Sequence, residues 1–274
     1  LVDEQVVDSF YAGEDIFADK EEIKLEPNQY VMLVSNSNDK KTALARFYNY
    51  NDPLVKMYKM ENIWGIDARN KEQSFALELL MDPDVEVVSL IGQAGSGKTL
   101  LAVAAGLEQV LGDDNEYKKL IVSRPIQPLG KDIGFLPGTL EEKMDPWLMP
   151  IKDNLEFLLG NDRDTVKMYF EKGVIEIEAI TYIRGRSITN AFIIIDEAQN
   201  LTRHELKTIL TRVGEGTKII LTGDIEQIDN IYIDETSNGL TYAVEKFKEY
   251  DISGHITLQK GERSKVATLA AKIL

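Results

Sequence analysis

Residues Gly92-Gln93-Ala94-Gly95-Ser96-Gly97-Lys98-Thr99 spell G-x-x-x-x-G-K-[ST] between the apolar run Val85 to Ile91 and the Ala- and Leu-rich segment Lys98 to Leu111. No other feature constrains the fold as much. Glycines at these positions let backbone amides turn inward around phosphate oxygens, and the first turn of the following helix adds unpaired N–H groups and the positive end of its dipole. The motif therefore requires a buried strand, a tight loop and a helix, in that order.

The rest of the chain supplies the matching sheet. Apolar runs at 119–123 (KLIVS), 174–180 (VIEIEAI), 191–196 (AFIIID) and 217–223 (TKIILTG) alternate with helical segments. With 85–91 they make five strands buried on both faces, which predicts an α/β fold with a doubly wound, mostly parallel sheet. Asn70 to Met81 reads as an amphipathic helix ahead of the first of these strands. Residues 1–61 differ in character: EQVVDSFYAG, EPNQYVMLVSNSND and KTALARFYNY are short, strand-like and separated by polar turns, so a small β-rich N-terminal module is expected to precede a larger domain over 62–274.

Composition excludes several chemistries. The 274 residues include no cysteine, which removes disulfides, thiolate catalysis and Cys-ligated zinc, and with two histidines, His204 and His255, a His-based metal cluster is not expected. The net charge of −15 means that the average surface repels phosphate backbones, so a nucleic-acid role requires a local basic groove. The N-terminal module, with 12 acids against 7 bases over residues 1–62, has no basic bias of its own. There is no apolar stretch of 18 residues and no basic-then-apolar start, which points to a cytoplasmic protein with no membrane partner.

A phosphate loop needs a carboxylate at the tip of a second buried strand, and Phe192 to Ile195 followed by Asp196-Glu197 provides it. Asp196 is the candidate to position Mg²⁺ together with Thr99, while Lys98 would bridge phosphates and Glu197 would orient or deprotonate an attacking water. Adjacent acids favour hydrolysis over transfer to a small-molecule acceptor. A third strand end delivers Thr222, Asp224 and Gln227 as candidates to sense the γ-phosphate or couple its loss to movement.

In this order the residues resemble the PhoH family of P-loop ATPases. The resemblance rests on Ser123-Arg124-Pro125, Gly134-Phe135-Leu136-Pro137-Gly138, Lys143, Pro146 and Pro150, Arg184-Gly185-Arg186, Asp196-Glu197-Ala198-Gln199-Asn200 and Leu221-Thr222-Gly223-Asp224, and covers residues 62 to 274. Leu129-Gly130-Lys131-Asp132-Ile133 departs from the acidic approach to GFLPG that other members use, and points to the branch in which a PIN nuclease domain precedes the ATPase. That nuclease is not among these residues, and the start at Leu1 instead of Met is consistent with a fragment.

The resemblance implies a RecA-like P-loop NTPase sheet, ATP and Mg²⁺ as ligands, and RNA as partner. It implies that Gly92, Gln93, Ala94, Gly95, Ser96, Gly97, Lys98, Thr99 and Leu100 hold nucleotide, with Asp224 and Gln227 near the γ-phosphate. Asn70 and Gln73 look like a helicase-type adenine-reading element, and Arg263 like an arginine that meets the γ-phosphate within the chain or across a subunit boundary. Arg184 and Arg186 are candidate phosphate or nucleic-acid contacts. One phosphate loop and one sheet leave half of a helicase-type site missing, which suggests a ring-forming homo-oligomer, and the resemblance implies a hexamer. The segment Arg124 to Leu159, with Phe135 and Trp147, reads either as an interface or substrate-strand element or as an insertion packed on the sheet. The expected activity is ATP hydrolysis coupled to RNA remodelling or unwinding. The alternatives are a nucleotide-dependent switch acting on a partner or a tethered nuclease, and a P-loop small-molecule kinase.

Overall fold

The computed structural model describes residues 1–113, 115–125, 140–160, 163–183, 187–230 and 232–259. Its centre is a parallel sheet of six strands, β4 (Val87–Gly92), β5 (Lys119–Arg124), β6 (Ile175–Ala179), β7 (Ala191–Ile195), β8 (Lys218–Gly223) and β9 (Ser253–Leu258), in the order β6-β5-β7-β8-β4-β9. This is the RecA-like P-loop arrangement, with the acid-bearing strand β7 separated from the loop-bearing strand β4 by β8. One face packs on α2 (Lys71–Met81), α3 (Lys98–Leu111) and α4 (Leu140–Leu159) through residues such as Leu79, Leu107, Ile151 and Ile194. The other packs on α6 (Ile180–Ile183), α7 (Arg203–Leu210) and α8 (Gly239–Phe247) through Ile193, Leu206, Ile219 and Leu240. Helix α5 (Arg163–Glu171) leads into β6. Two covered faces explain why the strands read as continuous apolar runs.

The sixth strand, β9, was not among the expected five. Its sequence, SGHITL, places Ser253 and Gly254 at buried positions where an apolar residue would have announced a strand. A Cβ on Gly254 would lie 2.8 Å from Leu79 Cδ1, so only glycine lets α2 pack this closely on β9.

Residues 29–56 form a separate antiparallel sheet, β1 (Gln29–Val34), β2 (Thr42–Phe47) and β3 (Val55–Lys56), with a small core of its own around Val7, Phe10, Ala45 and Phe47. The strand-like reading of EQVVDSFYAG is corrected here: Glu4–Ala12 is helix α1. Asp3 caps its first turn by accepting from the Gln5 N–H, Gly13 ends it at φ 85°, and Val7 and Phe10 bury one face. These caps outweigh the β-branched pair Val6-Val7.

The small sheet is fastened to the large one through α2. Arg46, on β2 and almost fully buried, ion-pairs with Asp82 at 2.7 Å and with Glu78 at 3.6 Å, and donates to Asn28 Oδ1. Asn28 in turn donates to the carbonyls of Asp251 and Ser253 at the start of β9, and Tyr30 stacks on Phe75 of α2. Lys218, buried at the start of β8, donates to the carbonyls of Leu79 and Asp82 at the C-terminal end of α2, and burial pushes its ammonium down to about 7.

The segment between Arg124 and Leu159 includes α4, in which Leu148, Ile151 and Leu155 are buried and Trp147 is half-buried. Over its described residues it is a packed element. Pro146 and Pro150 lie inside this helix, and their presence hid it from a reading of periodicity.

Candidate functional site

The C-terminal ends of β4, β7 and β8 converge on the loop 93–97. Gly95 and Gly97 hold φ of 80° and 89°, which other residues reach only with strain, and Gly97 begins α3 without any side-chain cap. The first-turn amides of α3 are therefore not claimed by a cap. A Cβ on Gly92 would lie 2.8 Å from both the Leu258 carbonyl and Ser96 Oγ, so β9 presses against the root of the loop. Ser96 Oγ is buried without a hydrogen-bond partner, and Lys98 is buried with its ammonium 3.4 Å from the Gln93 carbonyl.

Asp196 emerges from β7 beside this loop, 3% exposed. One of its oxygens, Oδ1, accepts from Thr99 Oγ1 at 2.8 Å and from Thr222 Oγ1 at 2.6 Å. A hydroxyl and a carboxylate at the loop form the hard-oxygen donor set that suits Mg²⁺. Together with the uncapped helix and the unpartnered Ser96 hydroxyl, they fit a magnesium-bound polyphosphate.

Glu197 follows with φ 54°, a left-handed conformation rare for a non-glycine residue and one that turns its side chain off the line of the strand. Its Oε2 accepts from Gln199 Nε2, and its Oε1 lies 3.5 Å from the guanidinium of Arg124, which is also 3.9 Å from Asp196 Oδ2. Gln199 is fully buried; it donates as well to the Gln227 carbonyl and accepts from the Asp224 N–H. A Cβ on Gly223 would meet its Oε1 at 2.5 Å, so the glycine of Thr222-Gly223-Asp224 is the space that Gln199 occupies. Asp224 completes the chain of contacts by accepting from the Ala94 N–H, in the loop, at 3.0 Å.

The candidate residues thus fall into three groups. Lys98, Thr99, Asp196, Glu197 and Asp224 come together, with Gln227 linked to Glu197 through Gln199. Asn70 and Gln73 lie against the loop from α2. Asn70 is the N-cap, accepting from the Gln73 N–H, while Gln73, 5% exposed, donates to the Ser96 carbonyl and accepts from the Arg69 N–H. Half of the hydrogen-bonding capacity of the Gln73 amide is therefore already used by backbone. Arg263, Arg184, Arg186, Lys131 and Phe135 lie outside the described residues. Arg124 and Gln199 were not assigned a role from sequence, because only the sheet order, with β5 beside β7, brings Arg124 to the acids.

Comparison with known proteins gives the family. The family model described as "PhoH-like protein" matches residues 65–273. "Protein PhoH2" of Bacillus subtilis is 50% identical over the whole of this chain, and "Protein PhoH2" of Thermobispora bispora is 40% identical over 81% of it. The chain spans 62% and 51% of the length of these two relatives. Among solved structures, the Pif1 helicase from Candida albicans is similar over 76% of this chain and 43% of its own, at 16% identity and a TM-score of 0.38. The Sulfolobus solfataricus SWI2/SNF2 ATPase core in complex with dsDNA is similar over 74% of this chain and 46% of its own, at 15% identity and a TM-score of 0.40. No described helix is long and apolar enough to cross a membrane. With its phosphate loop, its paired strand-end acids and a family match over most of its length, the chain belongs to the PhoH-like family of P-loop NTPases.

Proposed function

We propose that the chain binds ATP at the loop 92–100 and hydrolyses it, and that hydrolysis is coupled to remodelling or unwinding of RNA. The observation that carries the chemistry is the pairing of Thr99 and Asp196 beside the loop, with Glu197 next to them at the same strand end. Thr99 and Asp196 would hold Mg²⁺, which when bound neutralises charge developing on the phosphates. Lys98 and the amides of residues 94–100 hold the phosphate chain. Glu197 accepts a proton from water as the water oxygen bonds to the γ-phosphorus and the bond to the β-phosphate oxygen breaks. Asn70 and Gln73 are the proposed adenine contacts, through the one donor and one acceptor that the Gln73 amide has left.

RNA and the role of Arg263 enter through the family resemblance, while the single phosphate loop and sheet support a homo-oligomer in which Arg263 or an arginine of a neighbouring copy reaches the γ-phosphate. A sedimentation measurement showing a fully active monomer overturns the oligomer. Steady-state ATP hydrolysis with and without single-stranded RNA, at two salt concentrations and with Lys98→Ala as control, tests the coupling. Salt-sensitive stimulation supports an RNA motor despite the acidic surface. Turnover indifferent to RNA supports a nucleotide-dependent switch on a protein partner instead.

A further inference from the structure

Glu197, the proposed general base, has neither carboxylate oxygen free. Its Oε1 is paired with the Arg124 guanidinium and its Oε2 with the Gln199 amide. One direction on each carboxylate oxygen is turned to a neighbour, so a water that gives its proton to Glu197 has to compete with Arg124 and Gln199 for the orientation of the side chain. Gln199 also connects the base to the phosphate loop: its Oε1 accepts the Asp224 N–H, and the Asp224 carboxylate accepts the Ala94 N–H. A phosphate oxygen that takes the Ala94 N–H displaces Asp224, and a shift of Asp224 pulls on the amide that holds Glu197.

Arg124 is placed to be the other half of the restraint. It extends from the end of β5, the strand beside β7, with its side chain about one quarter exposed, and it spans the two acids with one nitrogen toward each. Asp196 is buried, and Arg124 is the cation within ion-pair distance of it among the described residues. Once the nucleotide site supplies its own positive charge to Asp196, the guanidinium loses one of its two anchors.

We propose that Arg124, acting with Gln199, is a positioning residue that restrains Glu197 in the nucleotide-free protein and releases it when the phosphate loop fills. The proposal rests on the reading of Glu197 as the base for ATP hydrolysis, and adds to it a control on basal turnover.

Two measurements on the full chain test it. In steady-state hydrolysis without RNA, Arg124→Ala is expected to raise kcat three- to tenfold with KM changed less than twofold. Arg124→Lys, which restores a cation, should bring kcat at least threefold back down from that level. A fall in kcat of tenfold or more in Arg124→Ala overturns the restraint and makes Arg124 a contributor to the chemistry. The second measurement needs no activity: a double-mutant cycle of Arg124→Ala and Glu197→Gln on the melting temperature of nucleotide-free protein. Non-additivity of 1 °C or more that vanishes with a magnesium-bound, non-hydrolysable ATP analogue is expected; additivity without nucleotide overturns the restraint. If the wild type hydrolyses no ATP, or Glu197→Gln keeps its turnover, the functional reading fails, and the cycle still decides whether Arg124 holds Glu197.

Discussion

The carboxylate of Asp224 accepts the backbone N–H of Ala94 at 3.0 Å, so the phosphate loop is closed on an anion from its own chain. An amide that binds this carboxylate is turned the way a phosphate oxygen needs it, and a triphosphate must evict the carboxylate to use that amide. Asp224→Asn removes the charge and turns an N–H₂ or a neutral oxygen toward the loop. Nucleotide binding is therefore expected to tighten by about five- to tenfold, or ~1 kcal/mol, measured by titration with a non-hydrolysable ATP analogue at fixed salt. Weaker binding would mean that the carboxylate braces the loop in the shape that nucleotide requires.

Glu197→Gln keeps the size of the side chain and its Gln199 contact site but cannot take a proton. Hydrolysis is expected to fall by roughly 10²- to 10⁴-fold while analogue affinity stays within about twofold, because binding uses the loop and chemistry uses the carboxylate. Single-turnover hydrolysis and equilibrium binding on the same preparation separate the two. Turnover at the wild-type rate removes Glu197 from its role.

How much of this was legible in the sequence depends on distance along the chain. The phosphate loop, helix α3, five of the six large strands and the acids at the end of β7 are local patterns, and each element carries its own signal. What the sequence concealed depends on which strands are neighbours. Arg124 meets Glu197 because β5 pairs with β7, and Gln199 meets Asp224 because β8 lies on the other side of β7; neither pairing has a sequence signature. Strand β9 and helix α4 were hidden for the opposite reason. Gly254 and Ser253, and Pro146 and Pro150, are locally unfavourable choices, overridden by the packing of the elements that hold them.

The contact between the small sheet and α2 should be costly to break. Arg46 is 2% exposed and compensates both Glu78 and Asp82, and burial raises the Glu78 carboxyl above its usual range. Removing the guanidinium leaves Glu78 buried without its cation, a loss of about 3–5 kcal/mol. Arg46→Met is therefore expected to lower the melting temperature by roughly 10 °C, and Arg46→Met with Glu78→Leu to recover much of it. Because α2 carries Gln73, which holds the Ser96 carbonyl at its other end, the single variant should also weaken ATP binding. A variant that melts early yet binds ATP normally would show that α2 does not transmit the change.

His255 on β9 supplies a pH-dependent part of the stability. Its Nδ1 lies 2.8 Å from Ser89 Oγ on β4 and its Nε2 3.1 Å from Thr257 Oγ1, and burial pushes its imidazole down to about 4 from an ordinary 6.5. Between those values the unfolded chain takes up a proton that the folded protein refuses. The stability associated with neutral His255 is therefore complete above pH 6.5 and is lost progressively as the pH falls through 4, up to ~3 kcal/mol. Carboxylates titrate over the lower part of this range, so the wild type alone does not isolate the effect. The difference in unfolding free energy between wild type and His255→Gln, followed by urea denaturation from pH 7.5 to 4, does isolate it. The wild type should lose ground to the variant steadily below pH 6.5, and a difference that stays flat over that interval would show that the imidazole becomes protonated without leaving the fold.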